Sequence, residues 1–189
     1  MLRPVSAPPR AVLFDRDGTL VVDVPYNGDP DRVEPVATAE VALERVRAAG
    51  VPVGVVSNQS GIARGLLDAG QVEAVNARIA ELLGPFAVWR WCPHGAGEGC
   101  ACRKPAPGMV LDAAAALGVA PADVAVVGDI AADVGAADAA GARAVLVPTP
   151  ATRREEVAAA AQRGILADDL LGAVELLGFG VGVGGRDRA

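Results

Sequence analysis

Residues 11–20 read AVLFDRDGTL. Val12, Leu13 and Phe14 form a short apolar run suited to a strand buried on both faces, and the run stops at Asp15-Arg16-Asp17-Gly18-Thr19. Side chains alternate faces along an extended chain, so positions 15 and 17 project to one side and bring two carboxylates to one strand end. Like charges that close require a divalent cation between them or a split in their proton affinities. Gly18 permits a sharp turn and a close approach to a ligand. An Asp-Gly turn also forms for purely local reasons, so the stretch needs partners elsewhere in the chain.

Working outward, the pattern predicts a helix over 39–49 that stops at Gly50 and a second buried strand over 51–56, VPVGVV. Strand, helix and strand in that order imply a right-handed crossover and a parallel sheet. The segment Ser57-Asn58-Gln59-Ser60-Gly61 then emerges at the same edge as Asp15. A hydroxyl, amides and a glycine turn can donate several hydrogen bonds to phosphate oxygens, although Ser and Asn also cap helices. A helix is expected over 71–83, with Asp68 as N-cap and Gln71 at capping-box spacing. Further strands are expected over 86–91, 124–127 and 144–147, and helices over 105–117, 130–140 and 152–162, with a last one through 177. Gly128-Asp129 ends the fourth strand as Asp15 ends the first, with Asp133 four residues on. A carboxylate at that edge can complete an oxygen shell for magnesium. The loop over 21–35 is rich in Pro, Asp and Gly and lies near the first strand end, which puts Asp23 and Tyr26 in reach of a polar substrate. An ordinary solvated loop is the alternative there.

The three cysteines and the only histidine fall together as Cys92, His94, Cys100 and Cys102. The spacing C-x-H-x5-C-x-C supplies four ligands able to close a tetrahedral zinc site. A disulfide would leave an odd thiol and ignore His94, and independent buried residues would not need so glycine-rich a loop; zinc is the reading taken. With four protein ligands such a site is structural, and it would fix the Arg103-Lys104 pair that follows it directly. A fixed guanidinium can grip a phosphate or sugar, and an ammonium can neutralise phosphoryl oxygens.

The chain has 189 residues, enough for one domain, expected over 1–178 with a glycine-rich, disordered tail over 179–189. Residues 1–10 read as a loose lead-in. A net charge of −6 leaves no broad basic footprint for nucleic acid, so any anion must be met by a local pocket. The start lacks the apolar core of a signal peptide and no run reaches a membrane span, so a cytoplasmic monomer acting on a small phosphorylated metabolite is expected.

With Asp15, Asp17, Ser57, Lys104 and Asp129 at successive strand ends, the chain resembles the haloacid dehalogenase superfamily of phosphatases over most of residues 11–150. The segments FDRDGTL, SNQSGIARG, CPH…CAC, CRKPAPGM and VGD are similar to those of the D-glycero-D-manno-heptose-1,7-bisphosphate phosphatase group, and histidinol-phosphate phosphatases share the zinc loop. The resemblance implies an α/β, Rossmann-like three-layer fold with a central parallel sheet. It further implies a magnesium-dependent phosphomonoesterase in which Asp15 forms an aspartyl-phosphate and Asp17 is general acid and base. Magnesium would be held by Asp15, the backbone carbonyl of Asp17, and Asp129, while Ser57 and Lys104 hold phosphoryl oxygens. Asp23, Tyr26, Asn58, Gln59, Ser60 and Arg103 would line the substrate pocket. Two positions depart from the pattern, with Ile130 where a lysine is common and Ser57 where threonine is frequent. No spacing between the motifs admits a large cap domain. Another sugar or histidinol phosphate remains the rival substrate, and a phospho-accepting signalling domain or a zinc-stabilised binding module the rival classes.

Overall fold

In a computed structural model that describes residues 7–180, five strands form one parallel sheet in the order β3-β2-β1-β4-β5. They are β1 (Ala11–Phe14), β2 (Val53–Asn58), β3 (Val88–Cys92), β4 (Val124–Gly128) and β5 (Arg143–Leu146). The helices are α1 (Ala39–Ala48), α2 (Ala69–Leu83), α3 (Gly108–Ala116), α4 (Ala131–Ala140), α5 (Arg154–Arg163) and α6 (Leu170–Leu176). Strand β1 lies at the centre and is buried at every position.

The alternation along β1 sorts the core into two layers. Val12 and Phe14 face a cluster with Leu43 and Val46 of α1, Val75 and Ile79 of α2 and Val174 of α6; Ala11 and Leu13 face Val110 and Ala113 of α3 and Ala136 and Ala137 of α4. Burial on both faces explains why β1 and β4 read as unbroken apolar runs rather than alternating ones. The expected α/β fold with a central parallel sheet is the one present. Because the crossovers leave β1 toward β2 and later return to place β4 on its other side, the sheet reverses its winding between β1 and β4. Loops diverge at such a point and open a crevice at the carboxyl ends of the strands.

Several boundaries differ from the sequence reading, each for a local reason. Strand β2 runs on through Ser57 and Asn58, because these pair with Trp91 and Cys92 of β3. Helix α3 begins at Gly108 rather than at residue 105, since Ala101 to Pro107 remain committed to the cysteine loop and Gly108 N–H donates to the Ala101 carbonyl. The capping box at α2 forms as expected, with Asp68 and Gln71 each accepting from the other's backbone N–H. Residues 181–189 lie outside the described residues, and with them most of the stretch read as a disordered tail; Phe179, near its start, is buried in the core beside Val174. Among the described residues no helix is long and apolar enough to cross a membrane.

Candidate active site

The carboxyl edge of the sheet collects the acids. Asp15 directly follows β1 and is held by its N–H to the Val127 carbonyl at 2.8 Å; Asp129 directly follows β4; Asp133 lies in the first turn of α4. Carboxylate oxygens from these three buried residues all lie within 4.8 Å of one another. Lys104 reaches into the same cluster from the cysteine loop. Its Nζ lies 2.6 Å from Asp15 Oδ1, 2.6 Å from Asp133 Oδ1 and 2.8 Å from the Val56 carbonyl.

One ammonium does not balance three buried carboxylates, and the proton affinities register the excess. Burial, against the pull of Lys104 and helped by Asp133 and Asp17, pushes Asp15 up to about 8. Burial and then Asp133 push Asp129 up to about 6, while a hydrogen bond from Thr149 opposes the shift. Lys104 is raised too, but from the opposite cause: its burial would lower it, while Asp133 and Asp15 together hold it above the ordinary lysine range. A buried set of hard oxygen donors with surplus negative charge suits a divalent cation such as magnesium. Gly18 sits at φ +80°, and a β-carbon there would fall 2.6 Å from Asp129 Oδ2, so only glycine lets the 15–19 turn close over this carboxylate.

Asp17 does not share the cluster of Asp15, as the extended-chain reading expected. The strand ends at Phe14 and the chain turns at Arg16, so the second carboxylate enters a network of its own. Arg16 Nε lies 3.1 and 3.0 Å from the two Asp17 oxygens, and Gln59 Nε2 donates to Oδ2 at 2.9 Å. Arg16, 1% exposed, is anchored in turn by Nη1 donating to Asn76 Oδ1 of α2 at 2.9 Å. Ser57 emerges beside this network and accepts from the same Gln59 Nε2 at 2.7 Å.

Of the residues read as substrate contacts, Asp23, Tyr26, Asn58, Gln59 and Ser60 line one cavity of about 270 Å³ together with Arg16 and Asp17. Burial, with Asp17 nearby, raises the Asp23 carboxyl above its ordinary value. Tyr26 is exposed, and Arg64 stacks over its ring at 5.5 Å and donates to its hydroxyl at 2.6 Å. Asn58 is engaged by the backbone of Lys104: Oδ1 accepts from its N–H at 3.0 Å and Nδ2 donates to its carbonyl at 3.1 Å. This clasp holds the lysine at the sheet edge. Arg103 does not line this cavity; it lines a separate hollow with Gly95, Cys100, Lys104 and Ala106.

The cysteine loop closes on itself. Cys92 Sγ lies 3.2 Å from Cys102 Sγ and 3.7 Å from Cys100 Sγ, Cys100 and Cys102 are 3.5 Å apart, and His94 Nδ1 is 3.4 and 3.3 Å from Cys92 and Cys102. A tetrahedral ion with Zn–S bonds of about 2.3 Å and a Zn–N bond of about 2.0 Å would space its ligands by roughly these amounts. Burial and the neighbouring Cys102 push the Cys92 thiol up to about 12, a value that a bound dication would reverse. Arg103 braces the loop, its N–H donating to Cys100 Sγ and its guanidinium to the His94 carbonyl at 3.1 Å.

Arg16, Asn76, Thr149 and Thr152 were not singled out from sequence as site residues, and Asp133 was noted only as the acid four residues beyond Asp129. A basic side chain between two acids gave a signal for Arg16; the threonines gave none, because they reach Asp129 from the loop after β5. Thr149 Oγ1 donates to Asp129 Oδ2 at 3.2 Å, and Thr152 Oγ1 to the Asp129 carbonyl at 2.6 Å.

Comparison with known proteins agrees with this geometry. Residues 101–173 match the HAD-hydrolase-like family. A D-glycero-β-D-manno-heptose-1,7-bisphosphate 7-phosphatase of Pseudomonas aeruginosa is 39% identical over 143 residues, covering 73% of this chain and 80% of the relative. One from Mesorhizobium japonicum is 38% identical over 181 residues, covering 89% and 83%. The crystal structure of a D,D-heptose 1,7-bisphosphate phosphatase from B. bronchiseptica, complexed with magnesium and phosphate, superposes with a TM-score of 0.75 at 33% identity, covering 88% of this chain and 97% of the other. A match at this identity over 80% or more of each relative, on a sheet whose edge gathers Asp15, Asp129, Asp133 and Lys104, places the chain: it belongs to the haloacid dehalogenase superfamily of phosphoric monoester hydrolases, in the family of the heptose-bisphosphate phosphatases.

Proposed function

We propose that the protein removes a phosphate from D-glycero-D-manno-heptose 1,7-bisphosphate by a magnesium-dependent, two-step displacement through Asp15. The observation that carries the reading is the buried acid cluster at the β1/β4 crevice, bridged by Lys104 at 2.6 Å from both Asp15 and Asp133. The relatives' names supply the substrate.

In the first step an Asp15 carboxylate oxygen attacks phosphorus, a P–O bond to Asp15 forms and the ester P–O bond breaks. Asp17, on the opposite network, gives its proton to the departing alcohol oxygen. In the second step Asp17 takes a proton from water, which attacks the phosphorus of the aspartyl-phosphate and restores Asp15. Ser57 Oγ and Lys104 Nζ hold phosphoryl oxygens, and Lys104 also keeps Asp15 in place. Magnesium would be held by Asp15, the Asp17 carbonyl and Asp129, and when bound supplies positive charge that offsets repulsion between carboxylate and phosphate. Cys92, His94, Cys100 and Cys102 would hold a structural zinc that fixes the loop carrying Arg103 and Lys104. Asp23, Tyr26, Ser60 and Arg103 are assigned to the sugar and its remaining phosphate.

The test is phosphate release from a panel holding both heptose bisphosphate anomers, histidinol phosphate and simple sugar phosphates, with magnesium supplied or chelated. The expected result is a kcat/KM for the heptose bisphosphate well above every other member, lost on chelation. Preference for histidinol phosphate, or turnover indifferent to magnesium, would overturn it.

A further inference from the structure

Gln59 follows the segment that carries Ser57, and its sequence position suggests a side chain offered to substrate. Its surroundings say otherwise. The residue is 4% exposed, its backbone N–H donates to the Cys92 carbonyl at 2.8 Å, and its amide nitrogen lies between two other protein groups. That one Nε2 is 2.7 Å from Ser57 Oγ and 2.9 Å from Asp17 Oδ2. A primary amide nitrogen carries two hydrogens, and two acceptors stand at hydrogen-bond distance. The amide is assigned with its nitrogen toward Asp17, because Arg16 Nε already donates to both Asp17 oxygens and leaves that group an acceptor here.

We infer that Gln59 is a positioning residue, a strut that fixes the hydroxyl gripping the phosphoryl group relative to the carboxylate serving the leaving alcohol. The inference rests on the roles proposed above for Ser57 and Asp17. Its chemistry follows from the direction of the two bonds. Since Ser57 Oγ accepts from Gln59, the hydroxyl hydrogen is left for an oxygen arriving in the site. Since Asp17 accepts from Gln59 on one side and from Arg16 on the other, its carboxylate cannot rotate freely about χ2. The phosphoryl ligand and the proton donor are thereby held at one separation, which is what in-line transfer to a bound ester requires. The backbone bond to Cys92 ties this strut to the end of β3, where the cysteine loop begins.

Gln59→Met keeps the length of the side chain and removes both donors. In a protein that retains the zinc content and thermal midpoint of the parent, kcat for the bisphosphate falls by about 10- to 100-fold while KM stays within about twofold. A substrate contact would instead place the loss in KM. A second readout uses phenyl phosphate and p-nitrophenyl phosphate, which offer no sugar hydroxyl and differ chiefly in how much their leaving oxygen needs a proton. The loss in kcat/KM is several-fold greater for phenyl phosphate if the strut aligns the proton donor. Equal losses on the two aryl esters, a loss confined to KM, or unchanged kcat would overturn the inference. Gln59→Glu, which keeps the shape but sets a carboxylate against Asp17, shows the same selectivity if Gln59→Met folds poorly. Parent turnover of the bisphosphate tests the proposed function separately, so failure of the one is distinguishable from failure of the other.

Discussion

Gly18 shows how much can depend on a single missing carbon. At φ +80°, and with Asp129 Oδ2 occupying the place a β-carbon would take, Gly18→Ala incurs a left-handed backbone cost of about 1–2 kcal/mol and displaces the carboxylate assigned to magnesium. Urea unfolding should show that loss, and magnesium titration of the folded variant an affinity at least about tenfold weaker. An unchanged magnesium affinity would mean that Asp129 is not held by the turn. Thr149→Val tests the same carboxylate from the other side: it removes the 3.2 Å bond to Oδ2 and should weaken magnesium by up to about tenfold. At this scale the sequence exposed the residues that end strands, since a burial pattern that breaks at a polar residue is visible in one dimension. It did not expose Arg16 bound to Asn76 or the threonines beside Asp129, because those contacts join residues 60, 20 and 23 positions apart and leave no periodic trace.

Among the elements, the cysteine loop shows the tightest coupling of structure to chemistry. Lys104 follows Cys102 by two residues, and Asn58 clasps its backbone from β2. Gly108 lets α3 begin directly against the loop, because a β-carbon there would run into the Ala101 carbonyl. Removing the zinc proposed for this loop with a metal chelator and restoring magnesium alone should therefore abolish most activity while the far-UV circular dichroism of the sheet and helices persists. Adding zinc back should recover it. Full kcat in zinc-free protein would show that the clasp by Asn58 suffices to place Lys104. The cap of α2 lies apart from this chemistry: Asp68→Ala should cost about 1 kcal/mol of stability and leave kcat unchanged. That capping box was legible because its spacing is local. The start of α3 was not, because proline at 105 is a good helix opener and nothing nearby in sequence reveals that the cysteine loop holds residues 101–107.

Across the whole molecule, the strand order places Asp15 and Asp129 where the sheet reverses its winding, and the excess of buried acid there couples stability to pH. Asp15 is raised from 3.8 to about 8 and Asp129 from 3.8 to about 6, so the folded state without magnesium binds more protons than the unfolded state between those values. Raised carboxylates stabilise the fold below the unfolded value and lose that contribution as pH climbs through the folded one. The zinc-loaded, magnesium-free protein should thus unfold at a lower temperature at pH 8 than at pH 5, and added magnesium should raise the midpoint more at pH 8. A magnesium-induced shift independent of pH would place the ion away from these acids. The parallel α/β architecture was legible at this scale because β1 and β4 are buried on both faces; the pairing of β4 with β1 rather than with β3 was not, since topology carries no local signature. The most direct measurement is mass spectrometry of the enzyme acid-quenched during turnover of the bisphosphate with magnesium. One phosphoryl group is expected on the peptide containing Asp15 and none, with no turnover, in Asp15→Asn; a phosphoryl group on another residue, or turnover by the variant, would show that Asp15 is not the nucleophile.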